Sequence, residues 1–162
     1  MDIYMEYEGI KGNVTATGYV GMIQLRYFMY GVSRKISMQT GQVSNRENSK
    51  PTFKVMTVGK KLDAAGVGIF REIVGGAAGK RVILHFVRTG KNQLEEYMTI
   101  TLEQCLPVYF QVIAMSYEGN SPIESLSLSY TAIEVSYANR SADNKTLDMQ
   151  RHRYDLAEAK SL

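Results

Sequence analysis

The sequence predicts a mostly β, single-domain fold of eight or nine short strands and one helix, closed as a β-barrel or stacked as a sandwich. Three observations predict it. Apolar residues recur at a period of two over most of the chain, clusters of glycine, asparagine and proline punctuate those runs, and only one stretch carries clear helical spacing. The 162 residues, 44% hydrophobic and 22% charged, suit one domain around one packed core.

The elements follow in order. Ile3, Met5 and Tyr7 alternate with Tyr4, Glu6 and Glu8, and Gly9 ends the run. From Met22 to Tyr30, Ile23, Leu25, Tyr27 and Met29 face one side, and Met22, Gln24, Arg26, Phe28 and Tyr30 face the other. Val32 to Met38 continues as a short strand. Thr40 to Pro51 is the most polar stretch of the first half, a long loop of the kind that commonly carries function. Thr52 to Val58 reads as strand through Phe53, Val55 and Thr57. Leu62, Ala65, Ile69 and Ile73 recur at helical spacing, with Asp63 near the start and Gly75-Gly76 as the stop. Arg81 to Arg88 is a strand apolar on both faces. Tyr97 to Leu102 alternates, and Pro107 opens a further strand from Val108 to Met115. Leu126, Leu128 and Tyr130 alternate with serines, and Ile133, Val135 and Tyr137 alternate with Glu134 and Ser136. These two runs meet at Thr131-Ala132 as one bent strand or two. Beyond Tyr137 the chain is mixed in charge, with a weak helical phase through Leu147, Arg151, Tyr154 and Glu158.

Composition excludes several classes of function. The net charge is +3 and the basic residues form no stripe, so nucleic acid is not an expected partner. The single cysteine, Cys105, cannot close an intramolecular disulfide and sits in an apolar run as a small buried hydrophobe. The N-terminus lacks the basic-then-apolar pattern of a cleavable secretory signal, and no window is apolar enough for a membrane helix. No membrane insertion is expected.

Chemistry fares no better. Gly66-Val67-Gly68 lacks the third glycine of a dinucleotide fingerprint, with Arg71 in its place, and Gly75 to Lys80 lacks the spacing of a phosphate loop, with Val74 and Arg81 at the deciding positions. His85 and His152 are too far apart in sequence for a metal motif, and His85 reads as a half-buried structural residue. Ser125, Ser127 and Ser129 are the polar face of a strand, and Glu95-Glu96 reads as a solvated hairpin end. The sequence therefore nominates no catalytic, cofactor-binding or metal-binding residue. What remains is surface: if one face of the strand from Met22 to Tyr30 packs inward, the other exposes Met22, Phe28 and Tyr30 beside Gln24 and Arg26. Eleven tyrosines suit such an interface, because each combines an apolar body with a polar tip.

Several segments together resemble Hcp, the tube-forming family of bacterial type VI secretion systems. Ile3 to Gly12 is similar to that family's opening strand and "GI-x-G" turn, and Gly21-Met22-Ile23-Gln24-Leu25 to its second strand. Phe53-Lys54-Val55 through Lys61-Leu62-Asp63-Ala64-Ala65 resembles its strand, lysine-rich turn and helix start. Val82 to Arg88 and Glu96 to Leu102 resemble its paired strands. Pro122-Ile123-Glu124 through Tyr130, then Ile133-Glu134-Val135-Ser136-Tyr137, is similar to its "P-x-E-x-x-x-L-x-Y/F … I/V-E-x-x-Y" ending. Tyr27 and Val135 stand roughly where many members carry tryptophan. The resemblance spans about residues 2–140.

The resemblance implies a closed antiparallel β-barrel of short strands with one flanking α-helix over 1–140, and a charged C-terminal tail over 141–162, flexible or docked on a neighbour. It implies six copies in a ring, rings stacked into a tube within a contractile sheath and capped by a spike protein, and a protein secreted without a cleavable signal. Gln42, Asn45, Arg46, Glu47 and Asn48 would lie between stacked rings, and Met22, Gln24, Arg26, Phe28 and Tyr30 between ring neighbours. A carrier that holds effector proteins in the ring lumen is the alternative, and a small β-barrel enzyme a remote one.

Overall fold

The computed structural model describes the chain except 37, 39, 42–48, 77, 91–92, 117–118, 120 and 141–145, with backbone alone at 140, 146 and 147. In chain order the elements are β1 (Asp2–Tyr7), β2 (Ile23–Met29), β3 (Val32–Arg34), β4 (Pro51–Phe53), β5 (Met56–Lys61), α1 (Ala65–Gly75), β6 (Lys80–Thr89), β7 (Leu94–Ile113), β8 (Ile123–Ser129), β9 (Ala132–Arg140), β10 (Thr146–Asp155) and β11 (Lys160–Ser161).

The neighbours run β7-β6-β1-β2-β5-β8, every pair antiparallel, and β8 returns to β7. Six strands thus close into a barrel, which leaves no open edge among them along the closed seam. Period-two alternation fills the interior: Met5, Ile23, Met56, Leu84, Ile100, Leu102 and Leu128 have no exposed surface. Burying each such side chain contributes roughly 1.5–3 kcal/mol.

β7 corrects the sequence reading most. Tyr97 to Leu102 and Val108 to Met115, expected as separate strands, belong to one 20-residue strand that ends at Ile113. It bends at Gln104, whose φ is 50°, opposite the turn at Tyr130-Thr131. Its first half lies between β6 and β9, and its second half pairs with β8. Pro107 sits inside the strand beside a register shift, rather than at its start. The run Thr52 to Val58 also divides: Lys54 and Val55 separate β4, which pairs with β3 in a small hairpin, from β5 in the barrel wall.

Within the charged C-terminal segment, the described residues extend the sheet. β10 pairs with β9 from Arg140/Thr146 to Ala132/Asp155, and β11 folds back on its end. The apolar anchors of β10 lie near its end: Tyr154 lies 4.9 Å, centroid to centroid, from Phe53, and Leu156 rests on the core.

Helix α1 forms where the sequence places it. The Asp63 carboxylate accepts a hydrogen bond from the Ala65 N–H at 2.9 Å, satisfying one of the free donors of the first turn. Gly76, with φ of 69°, ends it. Ala65 and Ile69 are buried against the barrel, and Tyr7 of β1 donates its hydroxyl to Glu72 at 3.0 Å. Burial, reinforced by Glu72, raises the Tyr7 pKa.

Candidate functional site

The strand β2 carries a bulge that reorders its two faces. Leu25 pairs with Lys60 and Tyr27 with Gly59, so Arg26 is an extra residue without a partner on β5. Side chains before Arg26 and after it therefore change phase. Ile23 and Leu25 point inward; then Phe28 does, and Tyr27 and Met29 point outward, 38% and 59% exposed. Simple alternation put Phe28 on the outer face and Tyr27 and Met29 on the inner one, and both placements are corrected. Phe28 packs edge-on to Phe86 at 4.8 Å and stacks with Tyr30 at 6.2 Å. Of the other residues expected at the ring contact, Gln24, Arg26 and Tyr30 are exposed and Met22 is half-buried. Gln24 donates to Asp2 at 3.4 Å. Gln42, Asn45, Arg46, Glu47 and Asn48, expected between stacked rings, lie outside the described residues.

The register builds an outer wall from β2, β5, β8 and the second half of β7. One row across it is Met29, Thr57, Ser127 and Tyr109; the next is Tyr27, Gly59, Ser125 and Gln111. Tyr27 lies across Gly59, where any Cβ would fall inside its ring, and its hydroxyl reaches Ser125 at 3.2 Å. Thr57 and Ser127 share a hydrogen bond at 3.1 Å, so this part of the serine row is tied into the sheet. Ile123 and Ile113 pair beyond them. The wall thus presents Tyr27, Met29, Tyr109, Ile113 and Ile123, each between 38% and 59% exposed. Several exposed apolar and aromatic side chains gathered on one face of a sheet are a feature of interaction sites.

A second apolar surface was missed in the sequence. Val67, Phe70 and Val74 follow one another at helical spacing on α1 and are more than half exposed. The available signal was that α1 carries two apolar stripes, one through Ala65, Ile69 and Ile73 and one through these three.

A buried charge cluster was also missed. Lys60 is 1% exposed and Glu124 2%, and they form an ion pair; Lys60 also reaches Asp63 at 2.5 Å and the Lys61 carbonyl at 3.1 Å. The signal was there in phase: Lys60 falls two and four residues from Val58 and Met56, and Glu124 likewise from Leu126 and Leu128.

The chemistry candidates resolve into structural contacts. His85 places Nδ1 2.6 Å from Glu96 and Nε2 3.7 Å from Glu6, with the Tyr19 ring packed edge-on at 5.7 Å. Burial, then the Glu96 charge, raises the Tyr19 pKa. Glu95 is 8% exposed and faces Arg88 at 3.4 Å, so Glu95-Glu96 is no solvated hairpin end. Cys105 is fully buried, and burial pushes its thiol up to about 12. Among the described residues, no three potential metal ligands cluster, and no helix is long and apolar enough to cross a membrane.

A family model described as "Type VI secretion system effector, Hcp" matches residues 4–137. No curated protein matches the sequence. Among solved structures, one described as a type six secretion system protein superposes with a TM-score of 0.91 at 17% identity, covering 99% of both chains. Hcp1 from Salmonella typhimurium gives 0.78 at 17% identity, over 99% of this chain and 98% of that one. A type VI secretion system effector from Yersinia pestis gives 0.74 at 16%, over 95% and 99%. At these identities the superpositions show a shared fold.

Proposed function

This chain belongs to the Hcp family of type VI secretion system proteins, and from that premise we propose that it acts as a building block of the secretion tube. Six copies close into a ring, and rings stack into a hollow conduit that leaves the cell. Its work is mechanical rather than catalytic: it buries its own surface against copies of itself.

A closed ring needs a heterologous contact, in which two different surfaces of one subunit are complementary. The observation that carries the proposal is the bare outer wall of Tyr27, Met29, Tyr109, Ile113 and Ile123. The exposed stripe of Val67, Phe70 and Val74 on α1 is the second apolar surface such a contact requires. Gln24, Arg26 and Tyr30 border the wall as its polar and aromatic rim, the arrangement stable interfaces favour. Phe28 acts from beneath, by holding the strand in place. Stacking falls to the loop with Gln42, Asn45, Arg46, Glu47 and Asn48, and the sheath and spike are partners of the finished tube.

Electron microscopy of the purified protein tests this reading. Hollow rings with six-fold symmetry are the expected particles; compact, featureless monomers at micromolar concentration contradict it.

A further inference from the structure

Away from the wall, the adjacent strands β6, β7, β9 and β10 gather Arg81, Arg151 and Arg153 around one cleft of about 80 Å³. The two carboxylates of this cleft are both engaged. Glu134 stands opposite Arg153 in the register, yet its Oε2 accepts from Arg151 at 2.7 Å. Glu103 faces Arg81 at 3.7 Å. Asp155, two residues along from Arg153, accepts the Glu158 N–H at 3.0 Å. Arg153 is left over. Its Nε is shut off from solvent and has no hydrogen-bond partner among the described residues. A desolvated guanidinium N–H without an acceptor is costly, and the planar fork around it is shaped for an oxyanion.

We propose that this cleft is an oxyanion-binding subsite, and that its occupant is a carboxylate side chain of a second copy of the chain, held by Arg153. Size argues for a single anionic group, because pockets for whole small molecules run to roughly 300–1,000 Å³. Access argues for a neighbouring chain. β10 has β9 on one side, and on the other, from Asp148 to His152, no strand among the described residues, so this margin of the sheet is open to approach. Charge agrees, since three arginines face two glutamates. The choice of occupant rests on the assembly proposed above; the subsite itself does not.

The test uses the full-length protein, with Arg153→Gln and Arg153→Lys, and inorganic phosphate as the probe. Thermal melts in rising phosphate, at constant ionic strength and at protein concentrations where mass photometry shows monomers, so that the cleft is free, read the subsite. Mass photometry reads assembly. The expected result is a phosphate-dependent rise in melting temperature that R153Q abolishes and R153K partly keeps. Ring dissociation should be at least about tenfold easier in R153Q, the size of one lost charge-assisted hydrogen bond. A phosphate effect equal in wild type and R153Q overturns the subsite. An Arg153-dependent phosphate effect with unchanged assembly overturns the second copy as occupant and assigns the cleft to free oxyanion. If the wild type forms no rings, the second copy is likewise overturned, while the melts still decide the subsite.

Discussion

The carboxylate of Glu124, on β8, occupies the space beside Gly66 that any side chain there would need. A Cβ on Gly66 would overlap it. The glycine in the first turn of α1 is therefore a packing requirement: it lets a buried acid from the barrel meet the start of the helix and the Lys60 ammonium together. Helix propensity alone predicts that Gly66→Ala stabilises the protein by about 1 kcal/mol. The contact with Glu124 predicts the opposite sign, a net loss of about 1–3 kcal/mol from overpacking. Urea denaturation of the single variant decides between them.

Lys60 and Glu124 answer each other in the same cluster, and removing either strands a buried charge. Lys60→Met should cost about 3–5 kcal/mol, as single-partner deletions of buried pairs do. Converting both, as Lys60→Met with Glu124→Leu, should recover much of that loss. A double variant no better than the single one would show that Lys60 and Glu124 do not act as a pair.

The bulge at Arg26 separates two neighbouring aromatics by role. Phe28→Ala removes a ring packed on Phe86 and should destabilise the subunit by about 2–4 kcal/mol. Tyr27→Ala, on the outer wall, should leave the melting temperature within a few degrees and weaken ring formation. If Tyr27→Ala unfolds the chain and Phe28→Ala does not, the phase change is misplaced.

Alkaline pH should loosen the fold through groups held neutral by burial. Cys105 is raised from 9.0 to about 12, chiefly by burial and then by the Glu103 charge; Tyr130 is raised from 10.0 to about 12, chiefly by burial. For a raised pKa of this kind the unfolded chain loses its proton first. The stabilisation is complete below about pH 9 and is lost as pH climbs toward 12. Denaturation midpoints should hold steady to pH 9 and then fall, with Cys105→Ala reducing the early part of that fall. At pH 8 the thiol should react with an aromatic disulfide reagent only at the rate of unfolding.

Much of this was legible in the sequence because strand period and turn chemistry are local. Ile3, Met5 and Tyr7 declare their inward face, and α1 declares its start at Asp63 and its stop at Gly76. What the sequence hid depends on pairing between distant strands. The bulge at Arg26 exists only relative to Gly59 and Lys60, so alternation ran through it and reversed Phe28 and Tyr27. The bend at Gln104 exists because β8 and β9 turn beside it at Tyr130-Thr131, and one strand read as two. β10 is defined by its pairing with β9, and the charges along it hide that strand in the sequence. The burial of Lys60 and Glu124 depends on their pairing across β5 and β8, and they make sense only as a pair in inward phase.

The outer wall gives the most direct measurement. Tyr109→Asp puts a charge at an exposed position of the outer wall, in register with Ser127, Thr57 and the exposed Met29, without touching the core. Sedimentation velocity of wild type and variant at micromolar concentration should show hexamers for the first and folded monomers for the second, with matching melting curves. A wild type that sediments as a monomer, or a Tyr109→Asp variant that still sediments as a hexamer, would contradict the claim that this wall is buried by a second copy.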